Sequence, residues 1–229
     1  MASDTAMPTE DMAQLQLLRL VSPALPIGAF AWSQGLETGI EEGWLVDVAS
    51  LESWLSGLML NSLAYQDLAY LQRLRAAMAG NPETVTDWNR QLLASRETRE
   101  LYEEDSQLGE ALWRLLHKLD GVARPVAANE PISLVTGFAL AAHHWDIAWR
   151  PLALGFLWAW AENLVTAATK AVPLGQTDAQ RVLGNLIPKM NQAVDRAERV
   201  EEDRIGASFP GFAIASARHE IQYSRLFRS

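Results

Sequence analysis

Ser33 lies in Ala31-Trp32-Ser33-Gln34-Gly35, close to the Gly-x-Ser-x-Gly elbow that presents a hydrolase nucleophile. Alanine stands where the elbow has its first glycine. The elbow also needs a buried strand before it, and here Pro23 and Pro26 precede the serine. His219 is the base such chemistry would use, but nothing in the sequence sets it beside Ser33. Serine hydrolysis is therefore a remote alternative. Metal chemistry would rest on His117, His143, His144 and His219. Neighbouring residues on a helix point about 100° apart, so His143 and His144 do not chelate one ion readily, and no His-x3-His pair exists. The chain has no cysteine, which excludes disulfides, zinc–thiolate sites, iron–sulfur clusters and thiol catalysis. Lys170 is near Gly175, but Val172-Pro173-Leu174 between them is not a phosphate-binding loop. No catalytic residue, metal site or cofactor is expected.

Two carboxylate groupings remain. Glu37, Glu41 and Glu42 share a potential helix face, as do Glu97, Glu100, Glu103 and Glu104. Arg96 and Arg99 are interleaved with the second set, which predicts the i,i+4 pairs Arg96–Glu100 and Arg99–Glu103 on a solvated helix.

Two segments are less ordinary. In Ser22–Glu37, two prolines set an extended approach and Gly28 permits a conformation or close contact that a Cβ would block. A helix start just beyond it could hold an anion on its free N–H groups. The plainer reading is a loop–helix junction with Phe30 and Leu36 in the core. Ala217–Ser229 carries Arg218, Arg225 and Arg228 against one glutamate, with Tyr223, Leu226 and Phe227 among them. Apolar anchors between arginines suit docking on an acidic partner. They equally suit a terminal helix packed back on its own domain.

These segments need a scaffold, and the periodicity says it is helical. Apolar residues recur at three- and four-residue steps: Leu51, Trp54, Leu55, Leu58; Leu68, Leu71, Leu74, Met78; Leu108, Leu112, Leu115, Leu119. Capping signals predict a first helix over about 12–21 after Asp11, and one from Ser50 toward Asn61 continuing in a second piece to Gly80. Asn81-Pro82 opens a run to Ser95 that resumes to Gly121. Further helices open at Pro131, at Pro151 and at a Thr177–Gln180 capping box, with a kink or break at Pro188. The fold class is all-α: a single domain over 1–229 of nine or ten helices packed as an irregular bundle. Residues 1–10 and 201–217 read as loose, and a docking tail spans about 201–229.

Composition narrows the function. The net charge of -9 argues against nucleic acid, which needs a basic face, and against anionic membrane surfaces. The N-terminus lacks the basic and apolar blocks of a signal peptide. Pro151–Val172 is the most lipid-like stretch, but its uninterrupted apolar part ends at Ala161, short of the roughly 20 residues a span needs. It reads as a buried helix. Trp158 and Trp160 both face inward only if that helix is covered on several sides or lies at an interface.

The motif Ser-Pro-Ala-Leu-Pro-Ile-Gly-Ala-Phe-Ala-Trp-Ser-Gln-Gly-Leu-Glu at 22–37 and the ending Ile-Ala-Ser-Ala-Arg-His-Glu-Ile-Gln-Tyr-Ser-Arg-Leu-Phe-Arg-Ser at 214–229 resemble the two terminal signatures of the UreF family of urease accessory proteins. Leu-Leu-Ala-Ser-Arg-Glu-Thr-Arg-Glu-Leu at 92–101 and Lys-Ala-Val-Pro-Leu-Gly-Gln at 170–176 are similar to two further family blocks, in order. One departure is Ala29-Phe30, where many members carry glycine and then tyrosine or phenylalanine. The aromatic is kept, and a tyrosine hydroxyl is not. The resemblance implies a cytoplasmic, all-α, dimerising assembly factor. It would bridge a UreD/UreH-type accessory protein and a UreG-type GTPase on apo-urease, and couple GTP hydrolysis to nickel delivery. An alternative within the same picture is a GTPase-activating protein with an Arg225, Arg228 or Lys170 finger. Carried over by position, Phe30, Gln34, Glu37, Lys170, Arg218, Tyr223, Arg225 and Arg228 are the expected partner-binding residues.

Overall fold

Side-chain caps open four of the ten α-helices in the computed structural model, which describes residues 9–172, 174–206 and 209–229. Helix α1 (Thr9–Leu20) begins before Asp11. Asp11 therefore sits in the first turn, where its charge complements the helix dipole, and is not the cap. The predicted loose N-terminus otherwise lies outside the described residues. A 3-10 turn (Ala29–Ala31) and the short α2 (Leu36–Glu41) follow. The cap of α3 (Val48–Leu58) is Asp47, not Ser50. The Ser50 amide donates to Asp47 Oδ1 at 2.8 Å and the Asp47 amide to Ser50 Oγ at 3.1 Å, so the two residues cap one another.

A π-helical turn (Met59–Leu63) joins α3 to α4 (Asp67–Ala77). Helix α5 (Pro82–Ala94) opens on Asn81 as expected, its Oδ1 accepting the Glu83 amide at 2.9 Å. Helix α6 (Arg99–Asp120) is capped by Thr98 and closed by Gly121 at φ 69°. Helix α7 (Leu134–His144) starts at the Ser133 cap and not at Pro131. Helix α8 (Trp149–Ala171) starts two residues before Pro151. Helix α9 (Gln176–Ala197) has Gly175 at its N-cap with no side-chain cap bond, so the Thr177–Gln180 box is unused. It continues as one helix through Pro188, which lies on the exposed face. Stretch 201–217 is not loose where described: α10 (Pro210–His219) buries Phe212, Ala215, Ser216 and His219. Among the described residues there are ten α-helices and no strand.

The long helix α8 is central, packing on α9, α1, α2, α4 and α7. Neighbours on that many sides explain how Trp158 and Trp160 are both partly buried. The first two leucine stripes face inward as the spacing predicted. On α6 the stripe ends at Leu116, because the last turn projects into solvent and leaves Leu119 half exposed. Among the described residues no helix is long and apolar enough to cross a membrane.

Close joints hold the start of α7 against α5 and α6. Asn89 on α5 donates to the Pro131 carbonyl at 2.8 Å and accepts from the Ser133 amide at 2.9 Å and the Thr136 hydroxyl at 2.8 Å. At Gly109 a Cβ would sit 2.1 Å from the Ile132 carbonyl oxygen, so strand-like residues 132–133 lie directly on the α6 backbone. Gly109→Ala should therefore cost about 3 kcal/mol of stability or more, read as a fall in the urea midpoint. A shift under about 0.5 kcal/mol would show that this crossing relaxes freely.

Candidate functional site

The predicted solvated carboxylate face of α6 is in fact half buried. Glu100, Glu104 and Asp105 lie below a tenth exposure. Glu104 falls four residues after Glu100 and four before Leu108, and Asp105 falls between Leu101 and Leu112. The helical period thus puts the three carboxylates on the apolar stripe. Arg96 does not pair with Glu100. Its Nη2 lies 2.8 Å from both Asp67 of α4 and Asp105 of α6, and its Nε donates to Asp105 at 2.9 Å. Burial opposes the Arg96 charge, yet Asp105 and Asp67 together hold the guanidinium above its ordinary range. Burial also pushes the Asp105 carboxyl up, against the pull of Arg96. The other Asp105 oxygen accepts the Leu134 amide at 2.7 Å, which fixes the start of α7. The predicted Arg99–Glu103 pair does form, at 2.7 Å and exposed, and such pairs contribute little.

Residues 22–37 wrap over this face. Gly28 at φ 86° has no atom near a would-be Cβ, so it serves conformation and not contact. Gln34 at φ 53° and Gly35 at φ 71° form a left-handed pair that turns the chain into α2. A Cβ on Gly35 would also lie 2.9 Å from Ala215 Cβ of α10. The unfavourable conformation of Gln34 is held by its side chain. Gln34 Nε2 donates to Glu104 Oε1 at 2.8 Å, and its Oε1 accepts the Trp160 indole N–H at 2.7 Å. Burial pushes the Glu104 carboxyl up to about 7, even though Gln34 and Ser229 both donate to it.

The C-terminal segment docks on the same wrap. Glu37 accepts the backbone amides of Leu226 at 2.7 Å and Phe227 at 2.9 Å. His219, fully buried, places Nδ1 2.8 Å from Glu100 and Nε2 3.3 Å from Glu37. Arg225 reaches Glu100 at 3.0 Å. The Ser33 amide donates to the Ser229 main-chain oxygen at 3.0 Å, the Ser33 hydroxyl donates to the same oxygen, and the Arg228 amide donates to Ala31 at 2.9 Å. Phe227 is buried, with the Lys170 ammonium 5.8 Å from its ring centre, and Arg228 lies 5.8 Å from Trp32.

Of the eight residues expected to meet partners, Gln34 and Glu37 thus hold the chain to itself. Arg225, Arg228 and Lys170 are exposed cations that also brace the segment. Arg218 pairs with Glu42 at 2.9 Å and lies over Trp44. Tyr223 projects fully into solvent, and Phe30 is 68% exposed. Phe30 is therefore not a core residue, whereas Leu36 is. Ser33 is no nucleophile in this arrangement: it is fully buried, no strand precedes it, and its proton is committed to residue 229. His219 is likewise committed to two carboxylates. His117 stacks on Trp113, and His144 lies 3.6 Å from Asp120. Among the described residues no three metal-binding side chains gather. Glu100 and Glu104 were expected on a solvated face, and Asp105 and Ser229 had no assigned role. The four-residue spacing of Glu100, Glu104 and Leu108 is the signal that puts the two glutamates on the apolar stripe.

A family model described as UreF matches residues 45–187. A protein of Chromohalobacter salexigens named urease accessory protein UreF is 48% identical over 230 residues, covering all of both chains. Proteins of the same name from Hahella chejuensis and Psychrobacter cryohalolentis are each 46% identical, covering 95% and 99% of this chain and 99% and 98% of theirs.

The buried Arg96 triad makes a sharp test. Arg96→Met leaves Asp67 and Asp105 without their cation, and should cost roughly 3–5 kcal/mol. A lowered urea midpoint at unchanged slope is the expected readout. A midpoint like that of the parent would mean the two aspartates find other partners.

Proposed function

The chain belongs to the UreF family of urease accessory proteins, and from that premise we propose that it is a non-enzymatic scaffold for nickel insertion. In this reading it works in the cytoplasm as a homodimer and bridges a UreD/UreH-type accessory protein and a UreG-type GTPase on apo-urease. Nickel is the cargo of the assembly. GTP is bound by the partner and not by this chain.

One observation carries the proposal. Residues 220–229 have an anchored backbone but outward apolar side chains: Ile221 is 84% exposed, Leu226 63%, and Tyr223 wholly so. Phe30 stands beside Ala31, the residue that accepts the Arg228 amide. An ordered segment that keeps aromatic and aliphatic groups in water, next to Arg225 and Arg228, suits docking, because less conformational entropy is lost on binding. The overall acidity of the chain makes this arginine-bearing edge its contrast region.

A second reading rests on Arg228. It is exposed, and its guanidinium meets the neutral Gln107 at 3.3 Å, so it is freer than Arg225 to act as an arginine finger. Such a finger raises GTP hydrolysis by roughly 10³–10⁵. Adding this chain to the purified GTPase partner decides between the readings: strong stimulation supports an activator, and none supports the scaffold.

The scaffold itself is tested with Phe30→Ala/Tyr223→Ala/Leu226→Ala, since none of these side chains is buried. Capture of the UreD/UreH-type partner should fall at least about tenfold while the melting temperature holds. Co-expression with urease and its other accessory proteins should then yield little active enzyme. Undiminished capture and urease activity would overturn the assignment of this surface.

A further inference from the structure

We propose that the cavity walled by residues 20–34, α6, α7 and α8 is a site for a small organic ammonium ion, an amine carried on an apolar stem, with Glu104 as its counter-ion. The inference goes beyond the scaffold reading and does not depend on it.

The cavity has a volume of about 180 Å³. An apolar cavity of about 150 Å³ takes up benzene, so this one has room for one aromatic ring or a short alkyl chain. Most of its wall is apolar, with Leu63, Leu108, Phe138, Phe156 and Trp160 as its larger side chains. Such a wall offers a water molecule few of the hydrogen bonds it needs. Pro23 and Phe30 line the same space and are exposed, which gives a ligand a way in from solvent.

The charged groups in the wall are unbalanced. Asp67 of α4, Glu104 and Asp105 of α6, and Glu162 of α8 all line the cavity, and among the described residues Arg96 is the one cation beside them. Arg96 is spent on two of these carboxylates, at 2.8 Å from both Asp67 and Asp105. Of the cations further out, Arg225 is paired with Glu100, and Arg228 reaches Gln107. Glu104, 5% exposed, is met by neutral donors: Gln34 Nε2 at 2.8 Å on Oε1 and Ser229 Oγ at 3.2 Å on Oε2. A carboxylate oxygen has two acceptor sites, so each oxygen of Glu104 keeps one for a further donor. An ammonium group brings three N–H donors and a charge, and aromatic walls add their own attraction for a cation.

The same features select the class of cation. A metal ion needs several ligands converging on one point, and among the described residues no three metal-binding side chains gather. An organic ammonium ion needs one counter-ion and an apolar surround for its stem, the usual make-up of a small-molecule pocket. Burial pushes the Glu104 carboxyl up to about 7, and raises Asp105 and Glu162 as well. A bound cation offsets that cost.

Benzylammonium and benzyl alcohol have nearly the same shape and differ in charge. Each is titrated into the full chain and followed at the Trp160 indole N–H signal by NMR. Near neutral pH both should shift the signal saturably, with benzylammonium at least about tenfold tighter. In Glu104→Gln the two should come within about twofold of each other. No saturable shift, equal binding by the wild type, or a preference that survives in Glu104→Gln would overturn the site. Should Glu104→Gln fail to fold, the wild type decides through pH: the preference should hold at about pH 8 and fall at about pH 5, where this carboxyl takes up its proton. A preference unchanged over that range overturns the assignment of Glu104. These titrations use the isolated chain, so they can fail while partner capture by Phe30, Tyr223 and Leu226 stands, and the reverse.

Discussion

A carboxylate removed from water costs several kcal/mol unless a cation or converging donors meet it, and helix α6 removes three. Glu100, Glu104 and Asp105 lie along one buried face, and the architecture around them is a set of answers to that cost. Asp105 is met by Arg96 and by the first amide of α7. Glu100 is met by His219 and Arg225. Glu104 meets the neutral donors of Gln34 and Ser229, and is the one whose proton affinity rises to about 7. Each answer comes from a different part of the chain, so satisfying one helix face draws together α4, α7, α10, the loop at 22–37 and the last ten residues.

This explains why the two terminal segments share one surface. Residues 22–37 supply acceptors at Ala31 and Glu37 and donors at Ser33, and residues 219–229 supply the matching amides, the Ser229 oxygen and a buried ring at Phe227. Backbone hydrogen bonds then hold the segment while Tyr223, Leu226 and Ile221 remain outside. Buried groups fix the shape, and the exposed groups are the ones on which the proposed docking role rests.

Much of the fold was legible because helix formation is local. The leucine stripes of α3 and α4, the Asn81-Pro82 opening and the Gly121 close all appear where period and capping chemistry place them. The misassigned ends have one local and one tertiary cause. Asp47 outcompetes Ser50 as a cap because a carboxylate at that position reaches the Ser50 amide, and Ser133 takes over from Pro131 because the chain first lies against Gly109. The Arg96–Glu100 pair failed for a different reason. Spacing along one helix says which charges could meet, but not which face is dry. Once Glu100 was buried it could bind His219, which is far away in sequence.

By itself the amino-acid sequence determined the helical class, the absence of thiol chemistry, the acidic balance and the four ordered blocks that resemble the family. Those are properties of composition and short-range spacing. Only the tertiary structure decided that Ser33 and Glu37 hold residues 226–229 in place, that Phe30 faces water, and that Glu104 is buried against Ser229. These depend on contacts across more than a hundred residues, where burial sets the cost of a charge and the fold determines what is near enough to meet it.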